Sequence, residues 1–211
     1  MAIQSNETLK GLDYYSAATD TQLQCFKNNG ISFVCRYYTS NTTSGKLLTK
    51  SEALALSNQG FKIVPVYQDS NNDSSDFGYN NGLSNGRTAI GKAEAVGQPY
   101  NTAIYFSVDF NPTTTTEWTA VKNYFLGVQD AMNEYYQMNG QRWIIGVYGG
   151  YYVVKELDGY AGISKTWQTS SWSDGKDYVY RNIYQYQHNV SSCNVNVDYN
   201  ASDGSHGGFK L

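Results

Sequence analysis

The chain has 211 residues, a formal net charge of −3 and three cysteines. That length fits one domain with a substantial core. Without a run of Lys or Arg there is no footprint for a phosphate backbone, so no nucleic-acid partner is expected. No stretch approaches the ~20 apolar residues of a membrane span.

Met1–Lys10 is polar and lacks the apolar core of a signal peptide. The protein is therefore either intracellular at synthesis or begins after a removed leader. Gly11–Tyr15 reads as a short strand. Thr19 then caps a helix carrying Leu23 and Phe26, closed by Gly30. Ser32–Tyr38, β-branched and aromatic, is a second strand. Thr49 and Glu52 make a capping box that opens a helix through Ala53, Leu54 and Leu56 to Gly60. Lys62–Gln68 is the third strand, followed by a helical segment over 76–96 that Gly97 and Pro99 stop.

Thr102–Asp109 is the clearest buried strand. Thr114 and Glu117 form another capping box, and Val121, Phe125, Val128, Met132 and Tyr135 recur at helical spacing in one apolar stripe. Trp143–Gly149 is the fifth strand, with a short helix at 151–157. Three strand-like pieces follow, Lys165–Thr169, Asn182–Gln187 and Val195–Tyr199. The gap between the last two is too short for a helical crossover. Five β/α units followed by three strands fit an α/β fold, a single irregular TIM-type (β/α)8-like barrel, because eight strands can close. A doubly wound sheet would need a Gly-rich turn after its first strand, and Leu12–Ser16 is not one. One domain over 1–211 is expected, with 1–9 and 204–211 as terminal segments.

Cys25, Cys35 and Cys193 are odd in number and lack CxxC or HxxxH spacing. The reading is buried thiols, with neither a disulfide framework nor a zinc site. His188 and His206 stand far apart, and no metal or other cofactor is expected.

In such barrels chemistry sits at the C-terminal strand ends. Asp13 lies at the end of the first strand, Asp109 at the end of the fourth and Asp198 near the end of the eighth, which would close against the first. An acid in apolar company costs several kcal/mol unless it is paired or hydrogen-bonded. Each Asp alone fits a loop cap; three placed to meet favour a shared site. Asp69, Asp73 and Asp76, in a Ser/Asn-rich loop, read as solvated. Aromatics with polar tips suit sugar rings. Tyr37, Tyr67, Tyr148 and Trp167 are candidates to line a cleft, with Gln68, Gln168 and Gln185 as hydrogen-bonders. Arg36, inside an apolar strand, needs a carboxylate partner, and an Asp of the cleft is the expected one.

With these residues located, the chain resembles a bacterial family of glycoside-hydrolase-like barrels designated a domain of unknown function, itself similar to the family 25 lysozymes. The matching pieces are Gly11–Asp13, Phe33–Tyr37, Lys46–Thr49 with Glu52, Ala103–Asp109, Gly146–Gly149, Trp167–Thr169, Gln185–Gln187 and Val197–Asp198, in order over nearly the whole chain. The resemblance implies that Asp13, Asp109 and Asp198 match acidic positions of the lysozyme cleft. It also implies a polysaccharide or peptidoglycan substrate, a monomer, and an extracellular or cell-wall-associated location. One departure matters. The lysozymes carry Asp-x-Glu at the end of strand four, with the Glu as proposed general acid, and here Asn111 stands in its place. Three readings stay open: Asp109 or Asp198 is the acid and a partner carboxylate the base or nucleophile; Asn111 orients a substrate 2-acetamido group while Asp109 donates the proton; or the domain binds glycan without cutting it.

Overall fold

In a computed structural model describing residues 2–211, eight strands close in chain order into one barrel. They are β1 (Leu9–Tyr14), β2 (Ile31–Tyr38), β3 (Lys62–Tyr67), β4 (Ala103–Ser107), β5 (Ile144–Gly149), β6 (Ile163–Thr169), β7 (Ile183–Ser192) and β8 (Val195–Ser202). Strands β1 to β7 pair in parallel, and β8 runs antiparallel to both β7 and β1. Helices α1 (Asp20–Asn28), α2 (Lys50–Asn58), α3 (Tyr79–Val96), α4 (Thr115–Asn139) and α5 (Tyr151–Leu157) follow the first five strands. The fold is thus the α/β barrel of five β/α units and three further strands that the pattern implies.

Side-chain alternation along each strand divides two cores. Phe33, Cys35, Val64, Val66, Ala103, Tyr105, Trp167 and Ile183 fill the barrel. Their strand neighbours, among them Val34, Tyr38, Ile63, Tyr67, Ile104 and Phe106, pack outward with the apolar faces of the helices. Capping behaves as read at Thr19 and Thr114, where both halves of the capping box form. At Thr49 only half forms: Thr49 accepts from the Glu52 amide, but the Glu52 carboxylate goes to Arg36 instead. The stripe of apolar residues from Val121 to Tyr135 belongs to a 25-residue helix, α4. It crosses α3 so closely that a Cβ on Gly82 would lie 1.9 Å from the Tyr124 carbonyl oxygen.

Three local expectations shift. The helix read from residue 76 starts at Tyr79, because Asp73 caps a separate 3₁₀ turn over Ser74–Asp76. β4 ends at Ser107, so Asp109 lies two residues beyond it. β7 continues past Gln187 and turns into β8 through Cys193 and Asn194. Both turn residues have positive φ, 54° and 60°, the backbone of a tight hairpin whose twist matches its strands.

The cysteine reading is corrected. Cys25 of α1 and Cys193 of the hairpin turn form a disulfide, with Cα atoms 5.9 Å apart, and only Cys35 is a free, buried thiol. The odd count concealed a pair plus a core residue, and 168 positions of separation left no local spacing to read. At the N-terminal end of the barrel Phe209 pairs with Ile63, and His206 stacks on Phe33 with ring centroids 4.9 Å apart. Glu7 and Arg181 form a buried ion pair, Oε1 to Nε 2.7 Å.

Candidate active site

Closure of β8 onto β1 sets Asp198 directly opposite Asp13 in the antiparallel register. Both side chains point into the barrel at its C-terminal end. One amide group joins them: Gln185 Nε2 donates to Asp13 Oδ2 at 2.9 Å and to Asp198 Oδ2 at 3.1 Å, while Gln185 Oε1 accepts from the Tyr148 hydroxyl at 2.8 Å. Asp13 is nearly sealed, with 3% of its surface exposed. It also accepts from the Tyr37 hydroxyl at 3.0 Å and from Asn200 Nδ2 at 2.8 Å. Asn200 is fixed in turn by the Trp167 indole, Nε1 to Oδ1 2.9 Å.

Burial pushes the Asp13 pKa up to about 6, and the Asp198 charge adds to the rise; the hydrogen bonds from Asn200, Gln185 and Tyr37 oppose it without cancelling it. Burial also raises the Tyr37 and Tyr148 phenols, so both stay hydroxyl donors.

Asp109 faces the same cavity from the β4 end. Gln68 Nε2 donates to its Oδ2 and Trp172 Nε1 to its Oδ1, each at 3.2 Å. The cavity holds about 210 Å³ and is lined by Tyr37, Val66, Gln68, Ser107, Asp109, Tyr148, Trp167, Gln185 and Asp198. Among the described residues no group of three His, Cys, Asp or Glu is arranged to hold a metal ion.

The structure thus gathers Asp109, Asp198, Tyr37, Gln68, Tyr148, Trp167 and Gln185 at one cavity, with Asp13 directly behind Gln185. Four other candidates lie elsewhere. Arg36 points out of the barrel into an ion pair with Glu52, Nε to Oε1 2.6 Å, and donates to the Tyr14 and Tyr15 carbonyls. Its partner is therefore Glu52 of α2 and not a cleft Asp. Tyr67 also points outward, donating to Asp69 Oδ2 at 2.5 Å. Gln168 is spent beneath the loop after β6, with Nε2 on the Lys176 carbonyl at 2.7 Å and Oε1 accepting from the Tyr178 amide at 2.9 Å. Asn111 is half-buried in the loop after Asp109 and outside the cavity lining. The chain has already left β4 there, so the two-residue face rule no longer applies.

Asp69 is also not simply solvated. It accepts from Thr39 and Tyr67 and from the Ser40 amide. Burial raises its pKa, but these bonds outweigh burial and hold it below the usual carboxylate value. Sequence reasoning missed Ser107, whose buried hydroxyl has no protein partner, and Asn200, Trp172 and His188. Ser107 and Asn200 share strand parity with Asp109 and Asp198, the one signal that would have found them.

A family described as the Rv2525c-like, glycoside hydrolase-like domain matches residues 24–202. The uncharacterized protein YbfG of Bacillus subtilis (strain 168) is 30% identical over 151 residues, 69% of this chain and 21% of its own length. The chain spans about a fifth of the length of the curated relatives it matches. Among solved structures, the Tat-secreted protein Rv2525c of Mycobacterium tuberculosis superposes with a TM-score of 0.79 at 24% identity, covering 94% of this chain and 98% of that one. A family GH25 lysozyme from Aspergillus fumigatus superposes with a TM-score of 0.55 at 14% identity, over 93% and 94% of the two chains. At such identities the two superpositions establish a common fold. The match over 24–202 takes in seven whole strands and the cavity's full lining, and the chain belongs to the Rv2525c-like, glycoside hydrolase-like domain family.

Proposed function

We propose that this protein is a glycoside hydrolase acting on an amino-sugar glycan of the bacterial cell wall. The observation that carries the reading is the convergence of Asp109 and Asp198 on one aromatic-walled cavity, with Asp13 tied to Asp198 through Gln185. Glycosidic cleavage needs one carboxyl that still holds a proton and a second that is ionised. With its pKa raised to about 6, Asp13 keeps a proton into the mildly acidic range. Asp198, held by the same Gln185 amide, faces the cavity and is placed to act on the leaving oxygen. Asp109 serves as nucleophile or as base toward water. Tyr37, Tyr148 and Trp167 supply ring faces, and Gln68 and Gln185 the hydrogen bonds.

The likeness to a lysozyme fold and to a Tat-secreted protein supports a wall substrate outside the cytoplasm. The Cys25–Cys193 disulfide also fits an oxidising compartment.

Release of reducing ends from purified peptidoglycan tests the proposal. The expected result is turnover that falls as pH rises through about 6, the pH at which Asp13 loses its proton. Asp109→Asn and Asp198→Asn each reduce turnover by about 100-fold or more at unchanged melting temperature. A second reading, glycan binding without cleavage, is favoured by one feature: no carboxylate follows Asp109 into the cavity, Asn111 lying outside it. Saturable glycan binding with no reducing ends from pH 4 to 8 would select that reading.

A further inference from the structure

At the rim of the cavity, three side chains that glycan cleavage does not call upon as a set stand in line. His188, on β7, places Nδ1 3.3 Å from Asp198 Oδ2 and Nε2 2.7 Å from Ser170 Oγ. The carboxylate is itself held: the Asn189 amide donates to its Oδ1 at 2.8 Å, and Gln185 to its Oδ2. An acceptor beside Nδ1 fixes the ring proton on that nitrogen and leaves the Nε2 lone pair facing the serine. Ser170 follows β6 directly, at the C-terminal end of the barrel, and its backbone is pinned by the bond from its amide to the Gln185 carbonyl at 2.8 Å. Two residues on, Trp172 donates to Asp109, a residue of the cavity wall. The serine therefore stands on a loop that borders the cavity. Ser170 and His188 are both part-exposed, as a nucleophile and its base must be.

We propose that Ser170, His188 and Asp198 form a second reaction centre, a serine esterase that removes O-acyl groups from hydroxyls of a sugar held in the adjoining cavity. A nucleophile next to a base, the base oriented by a third group, is the arrangement that activates serine on many unrelated folds.

Ser170 Oγ forms a bond to the acyl carbon while its proton passes to His188 Nε2. The bond from the acyl carbon to the sugar oxygen breaks, and that oxygen leaves as a hydroxyl with the Nε2 proton. Water then attacks the acyl-serine and gives one proton to Nε2. The acyl group departs as its carboxylic acid, and Ser170 Oγ recovers its proton. No electron acceptor is needed. Asp198 is a positioning residue in this reaction, holding the imidazole tautomer. Ser171 Oγ lies farther from Nε2, at 3.4 Å, and is the competing hydroxyl.

The test uses the full chain with p-nitrophenyl acetate and a fluorophosphonate label. p-Nitrophenyl acetate contains no glycosidic bond, so its turnover stands or falls separately from reducing-end release. Catalysed hydrolysis is expected, with about a 100-fold or greater loss in both Ser170→Ala and His188→Gln. The phosphonate mass should sit on the peptide containing Ser170 and be missing from Ser170→Ala. Melting temperatures taken alongside separate loss of the centre from loss of the fold. Hydrolysis unchanged in Ser170→Ala, loss following Ser171→Ala instead, or absence of label from a folded wild-type chain would each overturn the assignment.

Discussion

A carboxyl nearly sealed inside a barrel gives up its proton late, and Asp13 is such a group, with its pKa raised to about 6 by burial and by Asp198. Because the folded state holds this proton more tightly than the unfolded chain, Asp13 lends stability below about pH 4 that is lost as pH rises toward 6, by roughly 2–3 kcal/mol. His206 works the other way. Burial, aided by the charge of Lys62, lowers it to about 4, so its contribution is present above about pH 6.5 and lost as pH falls toward 4. The two slopes oppose one another. In urea unfolding from pH 4 to 7, Asp13→Asn should gain stability relative to wild type as pH rises, and His206→Gln should gain as pH falls. Parallel profiles for all three proteins would contradict both assignments. Arg36 and Glu52 make a separate point. Glu52→Gln leaves a buried guanidinium unbalanced and should cost about 3–5 kcal/mol, while glycan affinity holds, since the pair lies outside the cavity. Placing Arg36, Tyr67 and Gln168 in the cleft was legible as an error from sequence alone. Each adjoins a residue that does line it, Tyr37, Gln68 and Trp167, and neighbours on a strand face opposite sides.

Elements were read more securely than their ends. Capping boxes and alternating strands are local signals, and they located the helices and strands in order. What escaped depends on closure in space: the extension of β7 through its hairpin, and the disulfide from α1 to the hairpin turn. That bridge spans 168 positions and constrains the unfolded chain. The double variant Cys25→Ala/Cys193→Ala should lose about 2–5 kcal/mol by denaturant unfolding, and reductant should lower the wild-type melting temperature but not the variant's. Identical stability with and without reductant would exclude the bridge. The α3–α4 crossing gives a sharper test. Gly82→Ala forces a methyl onto the Tyr124 carbonyl, and Gly127→Ala one onto the Tyr79 carbonyl at 2.2 Å. Each should destabilise by about 3 kcal/mol, against the slight gain that Gly to Ala brings in an open helix.

At the scale of the whole molecule, function rests on the barrel closing in one particular way. β8 returns antiparallel between β7 and β1, which brings residue 198 opposite residue 13 and leaves β4 to present Asp109 from another side of the cavity. Acids 185 positions apart come to share one amide donor only through that closure. The meeting of Asp13 and Asp198 was legible because eight strands imply a last strand beside the first. The substitution of Asn111 was legible too, but its consequence was not, because where a strand stops is set by neighbouring pairings. The disposition of the carboxylates about a bound sugar is the most direct measurement of the account. In a crystal soaked with an N-acetylglucosamine oligomer, the account predicts a sugar ring against Tyr37 and Tyr148, with the linkage oxygen within hydrogen-bonding reach, ~3 Å, of Asp198 and Asp109 on the opposite side of the ring. An oligomer bound elsewhere on the surface, or one in the cavity with both carboxylates out of reach of the linkage, would contradict it.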